Sequence, residues 1–282
     1  MAASTRAPGG RLQGAVAIVT GGGHNIGRAI ARAFATEGAK VMVCGRRAAL
    51  LAETAGLIAA AGGECATFPA DLTVAANAQA LVDATLARFD DLDVVAAMAG
   101  GGAVYAPVDE MAPEVFEAIW RQNVTTTFHT MRAVLPVFRR KNRGSIITAA
   151  GGGAFFPWLG VHASAYAAAK AAVCRLTDQI QAELLDTGIR LNVLEPGMVW
   201  SEEKLREVEA EERATGRPHP LRGNYRPPEM AAELAVWLAS DESASMQGRC
   251  VSVNDDWWRD PERVARVAQT IHHYRLRRYD LF

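Results

Sequence analysis

Tyr166 and Lys170 carry the clearest chemical signal in this sequence. Side chains four positions apart lie about one turn from each other on the same face of a helix. A lysine ammonium group beside a phenol favours the phenolate and lowers the pKa of the phenol. The pair therefore predicts a tyrosine that gives or accepts a proton near neutral pH.

A glycine-rich turn lies far upstream of this pair, at residues 20–27, where the sequence reads TGGGHNIG. It separates an apolar run, residues 15–19, from a segment with helical periodicity, residues 26–37. Glycines in such a turn let the backbone approach a pyrophosphate, and the helix that follows points its free N–H groups at that charge. The turn therefore predicts a dinucleotide site.

Strand and helix patterns alternate along the chain and define the framework that must hold these residues. Continuous apolar runs are typical of strands covered on both faces, and repeated βαβ units imply parallel strands with right-handed crossovers. We therefore predict an α/β fold, a Rossmann-type doubly wound parallel sheet in a single domain. The predicted strands are residues 15–19, 41–44, 65–68, 92–97, 145–148, 189–194 and 250–253, and the predicted helices are residues 26–37, 48–61, 75–89, 113–140, 164–185 and 228–239.

Several segments of the chain need separate interpretation. Residues 1–13 are expected to be a flexible tail ahead of the domain, residues 14–256, and Pro136 is expected to kink helix 113–140. Residues 201–226 are highly charged and follow the sixth strand, at the edge where open α/β sheets bind ligands. We expect a mobile substrate lid there, and a solvated surface helix is the alternative.

Residues 257–282 are predicted to form a C-terminal helical extension. Asp260 followed by Pro261 is a typical helix start. The apolar stripe that follows is expected to be buried against another subunit or over the active site. This stripe consists of Val264, Val267, Ala268 and Ile271.

The Tyr166–Lys170 pair and the glycine-rich turn, at this separation, resemble the short-chain dehydrogenase/reductase family of the classical type. The resemblance covers about residues 14–256. It implies an NAD(P)-dependent oxidoreductase that interconverts a carbonyl and an alcohol on a small-molecule substrate. By this resemblance Tyr166 is the proton donor, Lys170 binds the nicotinamide ribose and tunes Tyr166, and Asn123 bends its helix and holds a water in a proton relay.

The resemblance also assigns the cofactor-binding residues. Asn25 replaces the middle glycine of the family's turn, and asparagine tolerates positive φ better than other side chains. Ala97 and Met98 replace two asparagines of a family motif that ends in Ala99 and Gly100. The expected cofactor-binding residues are Gly21, Gly23, Asn25, Ile26, Gly27, Arg46, Arg47, Asp71, Leu72, Ala99, Gly100, Tyr166, Lys170, Pro196, Gly197, Val199 and Ser201.

The end of the second predicted strand favours NADP(H), with NAD(H) as the alternative. Enzymes that use NAD commonly have an acidic residue there, which binds the ribose hydroxyls. This chain has Gly45 followed by Arg46 and Arg47. No carboxylate repels a 2′-phosphate, and a guanidinium can bind that phosphate in a bidentate manner.

The family's serine that polarises the substrate oxygen is missing, because residues 149–154 read AAGGGA. Losing one such donor typically lowers turnover by about 10²–10³. The backbone N–H groups of Gly151 to Gly153 are one replacement. Ser164 is another, although we expect it to cap its helix, and His162 and Thr148 are weaker candidates.

The missing serine leaves two other functions open. A non-redox enzyme, such as a cyclase, dehydratase or isomerase, would keep NAD(P) as a structural cofactor. A cofactor-binding regulatory or scaffold protein is the third hypothesis, and the retained Asn123, Tyr166 and Lys170 argue against it. Six aromatic residues indicate a bulky or aromatic substrate, with ordinary core packing as the alternative; they are Phe155, Phe156, Trp158, Trp200, Trp257 and Trp258.

The composition of the chain excludes several classes of partner. A net charge of −1 provides no general attraction to nucleic acid or to a membrane. The four cysteines lack the spacing of metal ligands and indicate buried thiols in a reducing compartment. We therefore expect a cytoplasmic protein without a metal site, and a homotetramer or homodimer that assembles through helices 113–140 and 164–185, as in relatives.

Overall fold

Seven parallel strands form one sheet in the part of the chain that the computed structural model describes, residues 10–270 and 273–275. The strand order is β3-β2-β1-β4-β5-β6-β7, so the direction of winding reverses between β1 and β4. This arrangement confirms the predicted doubly wound parallel sheet. The strands are β1 Val16–Thr20, β2 Lys40–Gly45, β3 Cys65–Pro69, β4 Val94–Ala97, β5 Gly144–Ala149, β6 Ile189–Glu195 and β7 Cys250–Ser252.

Helices cover both faces of the sheet, so the strands are apolar on both faces. Alternate residues of β1 point to opposite sides: Ala17 and Val19 join the core under one helical layer, and Val16 and Ile18 join the core under the other. The helices are α1 Asn25–Thr36, α2 Ala48–Ala60, α3 Ala75–Phe89, α4 Pro113–Trp120, α5 Thr126–Lys141, α6 Ser164–Ala182, α7 Glu202–Thr215, α8 Pro228–Ala239 and α9 Pro261–Ala268.

Residues 113–141 are helical throughout, close to the predicted helix 113–140, but this helix is not α-helical along its whole length. The departure from α geometry lies at Arg121–Thr125, a π-helical turn between α4 and α5, while Pro136 lies inside α5. The cause is a tertiary contact of Asn123, whose side-chain amide donates to the carbonyl groups of Gly101 and Ile119 at 2.9 Å each. A side chain that engages a distant loop in this way displaces the local helical pattern.

The C-terminal segment has its helix start where it was predicted, and its first residues pack into the core of the chain itself. The Asp260 carboxylate caps α9 by accepting hydrogen bonds from the backbone N–H groups of Glu262 and Arg263. Trp257 and Trp258 are 2% and 3% exposed and contact the ring of Trp237 in α8. These two residues and Val264 thus belong to the chain's own core. Ile271 of the predicted stripe and the N-terminal tail at residues 1–9 lie outside the described residues.

Candidate active site

The glycine-rich turn forms a backbone cradle at the carboxyl end of β1. Gly21 has φ +68°, and a β-carbon there would lie 3.0 Å from the carbonyl oxygen of Met98. A β-carbon on Gly27 would lie 2.2 Å from the carbonyl oxygen of Gly21. The Thr20 hydroxyl accepts a hydrogen bond from the Ala99 N–H at 2.9 Å, which fixes the loop after β4 beside the turn. The cradle therefore exposes backbone at the first turn of α1, where a pyrophosphate would bind.

Asn25 adopts φ +47°, the conformation expected of a residue in place of glycine. Its side-chain Nδ2 donates to the carbonyl oxygen of Trp200 at 3.0 Å, so the turn is tied to the segment that precedes α7. Its Oδ1 is buried and lacks a hydrogen-bond partner. A buried acceptor without a donor is costly, and a polar ligand at the turn would satisfy it. The turn thus fits a dinucleotide.

A cleft runs from this turn across the carboxyl ends of β2, β3 and β4. Eight of the residues expected to bind cofactor line it: Gly21, Gly23, Arg46, Arg47, Asp71, Leu72, Ala99 and Gly100. Sequence reasoning missed a further set of lining residues, which includes His24, Leu50, Thr73, Gln122 and Thr126. His24 and Thr73 adjoin predicted positions and could have been found by proximity, whereas Gln122 and Thr126 reach the cleft only because α4 and α5 cross it.

Charge is unevenly distributed along the cleft. Arg46 and Arg47 are exposed at the end formed by β2 and α2. The backbone N–H of Thr73 is the main cause that holds the pKa of Asp71 below its ordinary value, and Arg46 adds to the effect. Burial and the charge of Arg47 lower the pKa of His24. This end therefore combines two cations with one ionised carboxylate.

The remaining expected cofactor residues do not line this cleft. Gly27 and Ile26 lie behind it in α1, and the loop after β6 contains Pro196, Gly197 and Val199. Ser201 caps α7, because its hydroxyl accepts a hydrogen bond from the Lys204 N–H at 3.1 Å. In the same loop Trp200 stacks on Tyr225, with ring centroids 4.8 Å apart, and contacts the edge of His219. Both ends of segment 201–226 therefore meet at Trp200.

Tyr166 and Lys170 share one face of α6, and burial sets the charge of both. The Lys170 Nζ donates to the Ala149 carbonyl oxygen at 3.2 Å and lies 5.8 Å from the centroid of the Tyr166 ring. Burial raises the pKa of Tyr166 to about 12 and lowers the pKa of Lys170 to about 8. The predicted lowering of the tyrosine pKa is not found in this arrangement, because burial, and to a smaller extent the neighbouring Tyr105, favours the neutral phenol.

Asn123 is buried in the π-helical turn and uses its whole amide locally. Besides its two donor contacts, its Oδ1 accepts a hydrogen bond from the Gly101 N–H at 3.0 Å. The Asn123 amide thus holds the start of the loop that connects β4 to α4, residues 98–112. The helix is irregular around this residue, as the resemblance implies.

The structure identifies Gly151 as the residue that faces the Tyr166 hydroxyl. A β-carbon on Gly151 would lie 2.6 Å from the Tyr166 Oη. A β-carbon on Gly152 would overlap the ring of Trp158, and Gly153 has φ +82° with its β-carbon position against Ala167. The position beside the Tyr166 hydroxyl is therefore Gly151, which has no side chain.

The structure locates two of the proposed substitutes for the missing serine. The Thr148 hydroxyl is buried in β5 and pairs with the Thr177 hydroxyl at 2.9 Å. Helix α6 begins at Ser164, as predicted, and its N-cap position is Ala163, so the expected role of Ser164 as the N-cap is wrong.

Comparison with known proteins now defines the class. The family described as short chain dehydrogenase matches residues 15–212. The 2,5-dichloro-2,5-cyclohexadiene-1,4-diol dehydrogenase of Sphingobium indicum is 34% identical over 249 residues, which are 86% of this chain and 96% of that protein. The chain belongs to the short-chain dehydrogenase family. It is an NAD(P)-dependent oxidoreductase that acts on hydroxyl or carbonyl groups of small molecules.

Two solved structures show the same architecture. A 7α-hydroxysteroid dehydrogenase complexed with NADH and 7-oxo glycochenodeoxycholic acid has a TM-score of 0.75 and 29% identity, and the match covers 86% of this chain and 93% of that one. An actinorhodin polyketide ketoreductase variant with NADPH has a TM-score of 0.76 and 30% identity, with 85% and 95% covered. Structural relatives therefore bind both forms of the cofactor.

Two searches of the described residues found no further site type. None of the helices there is long and apolar enough to cross a membrane. Residues 10–270 and 273–275 contain no group of three or more His, Cys, Asp or Glu side chains that could hold a metal ion.

Proposed function

We propose that the protein is an NADP(H)-dependent oxidoreductase that interconverts a carbonyl and an alcohol on a bulky apolar or aromatic substrate. The observation that carries the cofactor preference is the position of Arg46 and Arg47 in the cleft, directly after Gly45 at the end of β2. A 2′-phosphate at this end of the cleft would meet two guanidinium groups.

Fluorescence titration of the protein with NADPH and with NADH tests this preference. We expect the parent to bind NADPH more tightly than NADH. We expect Arg46→Ala to weaken the binding of NADPH by about tenfold and to leave the binding of NADH nearly unchanged, since one charge-assisted contact contributes about 1.5–3 kcal/mol. Arg88→Ala is a matched control, because Arg88 lies on α3 and pairs with Glu64 away from the cleft. Equal affinities for the two cofactors in the parent would refute the preference.

Tyr166 is proposed to move the proton of the reaction. A bound nicotinamide supplies hydride to the carbonyl carbon in reduction and accepts it in oxidation. In reduction, the π electron pair of the carbonyl moves onto its oxygen, Tyr166 donates its phenolic proton to that oxygen, and solvent returns a proton to Tyr166. Lys170 is proposed to bind the nicotinamide ribose from the same face of α6, and Asn123 holds the neighbouring loop.

The substrate class follows from exposed apolar side chains on two loops. The loop after β4 and the loop before α6 are joined by a hydrogen bond from the Ala106 N–H to the His162 carbonyl oxygen at 3.0 Å. Val108, Phe156 and Leu159 are 77%, 81% and 90% exposed. Exposed apolar side chains on loops beside a site favour an apolar ligand. We name these side chains the apolar rim: Val104, Val108, Phe156, Trp158, Leu159 and Val161.

The names of the relatives agree with a cyclic apolar substrate, because one acts on a chlorinated cyclohexadiene diol and another was solved with a bile acid derivative. Trp257 and Trp258 do not contribute to the substrate wall as anticipated, since both are buried in the core. Segment 201–226 remains our proposed substrate lid. The nicotinamide end of the site is assigned to Pro196, Gly197, Val199 and Ser201 on the same proposal.

A redox assay separates this function from the non-redox hypothesis. Purified protein with NADPH and 2-tetralone, a bulky aromatic ketone, should oxidise NADPH, and Tyr166→Phe should reduce turnover to below a tenth of the parent, because only the proton-donating hydroxyl is lost. The variant should bind NADPH as the parent does. Product formation without net cofactor oxidation would support a non-redox enzyme.

The assembly is proposed to be a homodimer or homotetramer. Phe116, Trp120 and Phe128 are exposed on α4 and α5, and the rings of Phe116 and Trp120 are stacked with centroids 6.4 Å apart. Their spacing places the three side chains along one helical face. A second copy of the chain is the proposed partner of this face, in a cytoplasmic protein.

A further inference from the structure

The reacting hydroxyl of Tyr166 lacks a neighbouring side-chain donor at the position that faces it. Gly151 occupies that position, and a β-carbon there would come within 2.6 Å of the Tyr166 Oη. A carbonyl oxygen that receives a proton from Tyr166 develops negative charge before the transfer is complete. A second hydrogen-bond donor typically stabilises such an oxygen and is worth about 10²–10³ in turnover.

Tyr105 is a phenol on the loop that faces α6. Its neighbour Ala106 donates a backbone hydrogen bond to His162, four residues before Tyr166, so this part of the loop is attached to the start of α6. Burial is the main cause that raises the pKa of Tyr166, and electrostatic repulsion from Tyr105 adds to it, which agrees with this placement of Tyr105 on the side of Tyr166. Tyr105 is 61% exposed, and no group among the described residues is hydrogen-bonded to its hydroxyl.

The loop that contains Tyr105 is held at its start, the root of the loop, by Asn123 and has three consecutive glycines before Tyr105. Asn123 holds Gly101 through both its N–H and its carbonyl oxygen. Gly100, Gly101 and Gly102 all have positive φ, which glycine alone adopts readily over three consecutive residues. The loop can therefore place Tyr105 over a bound substrate while its root stays in position.

We propose that Tyr105 donates the second hydrogen bond to the reacting oxygen, in place of the side chain that Gly151 lacks. This inference rests on the proposed function, since it needs a carbonyl oxygen beside Tyr166. Tyr105 keeps its own proton throughout, and Tyr166 alone transfers one. The arrangement ties catalysis to the apolar rim, because Tyr105 lies between Val104 and Val108 on the same loop.

The test compares the parent, Tyr105→Phe, Gly151→Ser and the double variant, each with NADPH and 2-tetralone. Tyr105→Phe should lower kcat/KM by about 10²-fold, while the Kd for NADPH stays within about twofold of the parent. Asp109→Asn is the matched control on the same exposed loop and should retain the parental rate. A β-carbon at position 151 lies 2.6 Å from the Tyr166 Oη, so the Gly151→Ser background is used only if it retains at least the parental kcat/KM. In that background the loss of kcat/KM on Tyr105→Phe should shrink to below about tenfold, because the new hydroxyl stands beside the same oxygen.

The outcomes distinguish the inference from the function on which it rests. A parent that oxidises NADPH with 2-tetralone, together with a fully active Tyr105→Phe, overturns the role of Tyr105 and leaves the proposed function intact. The role of Tyr105 is also overturned if Tyr105→Phe lowers kcat/KM by the same factor in the parent and in Gly151→Ser, since Tyr105 would then act elsewhere. If the parent fails to reduce 2-tetralone with either NADPH or NADH, the proposed function is contradicted, and the inference fails with it.

Discussion

Burial shifts the pKa of both Tyr166 and Lys170 in the direction that favours the uncharged side chain. The Lys170 ammonium has one neutral partner, the carbonyl oxygen of Ala149, and this does not replace the water that it loses. The Tyr166 phenol is likewise favoured over the phenolate, with its pKa raised to about 12. A protonated phenol is the form that donates a proton in carbonyl reduction, so the pair as folded suits the reductive direction.

The depressed pKa of Lys170 predicts a pH dependence of stability. The folded chain releases the Lys170 proton at about pH 8, whereas the ordinary value is 10.5, so between these values the unfolded chain binds the additional proton. The free energy of unfolding therefore rises with pH across this window. The free energy of unfolding of Lys170→Met relative to that of the parent should be highest below about pH 8, where the parent buries a charge. This relative gain should disappear by about pH 10.

Urea denaturation of the parent and Lys170→Met from about pH 7 to about pH 10 measures this difference. Other lysines and tyrosines titrate in both proteins and cancel. Lys204→Met is the matched control, because Lys204 is exposed on α7, and its difference from the parent should not change with pH. A constant difference for Lys170→Met would mean that Lys170 remains protonated throughout.

Residue-level properties were the hardest to predict from the sequence. Types and spacing were sufficient to find Tyr166 and Lys170 on one helical face, but the direction of the Tyr166 pKa depends on burial that only the packed site reveals. The sequence located the missing serine only within residues 149–154, because the loop between β5 and α6 has no periodicity that fixes its register. Tyr105 had no sequence signal, since its relation to Tyr166 depends on a single backbone contact between two loops.

At the scale of elements, the glycine-rich turn is physically coupled to the proposed lid. Asn25 binds the Trp200 carbonyl oxygen, and Arg28 on α1 donates to the Gly23 carbonyl oxygen while lying 3.7 Å from Glu202 at the start of α7. Strands, turns and most helices were predictable because apolar runs and glycines such as Gly38, with φ +90°, mark them locally. The contacts between the glycine-rich turn and the proposed lid were not predictable, because they join residues that are far apart in the sequence.

Substitution of Asn25 should separate the two roles of this residue. Asn25→Gly keeps the positive φ and removes the amide contact, whereas Asn25→Ala also strains the backbone by roughly 1–2 kcal/mol. Trypsin should cleave segment 201–226 faster in both variants, at sites such as Arg206, Arg213 and Arg222. Only Asn25→Ala should lower the melting temperature clearly. Parental cleavage rates in Asn25→Gly would show that the amide does not hold the lid.

At the scale of the whole molecule, the described part of the C-terminal segment, residues 257–270 and 273–275, adds to the core and to the edge of the sheet. Trp257 and Trp258 pack on Trp237, and Arg259 lies 3.9 Å over the Trp258 ring while pairing with Glu233 of α8. Further along, Arg249 beside β7 donates to the carbonyl oxygens of Val267 and His273, and the Cys250 N–H donates to the Tyr274 carbonyl oxygen. The segment thereby closes the outer edge of the sheet.

This packing predicts that Trp257 stabilises each subunit independently of assembly. Trp257→Ala should lower the free energy of unfolding by about 3–5 kcal/mol, as expected when a large buried side chain leaves a cavity. Trp257→Phe should cost much less than this, because the indole N–H of Trp257 is buried without a partner and its removal offsets part of the lost contact area.

Urea denaturation at two protein concentrations measures the loss. Phe156→Ala is the matched control, since Phe156 is 81% exposed and should contribute little. If Trp257→Ala kept the parental stability, the tryptophan pair would not be part of the core. If the loss of stability appeared only at the lower protein concentration, the C-terminal segment would act through a subunit contact instead.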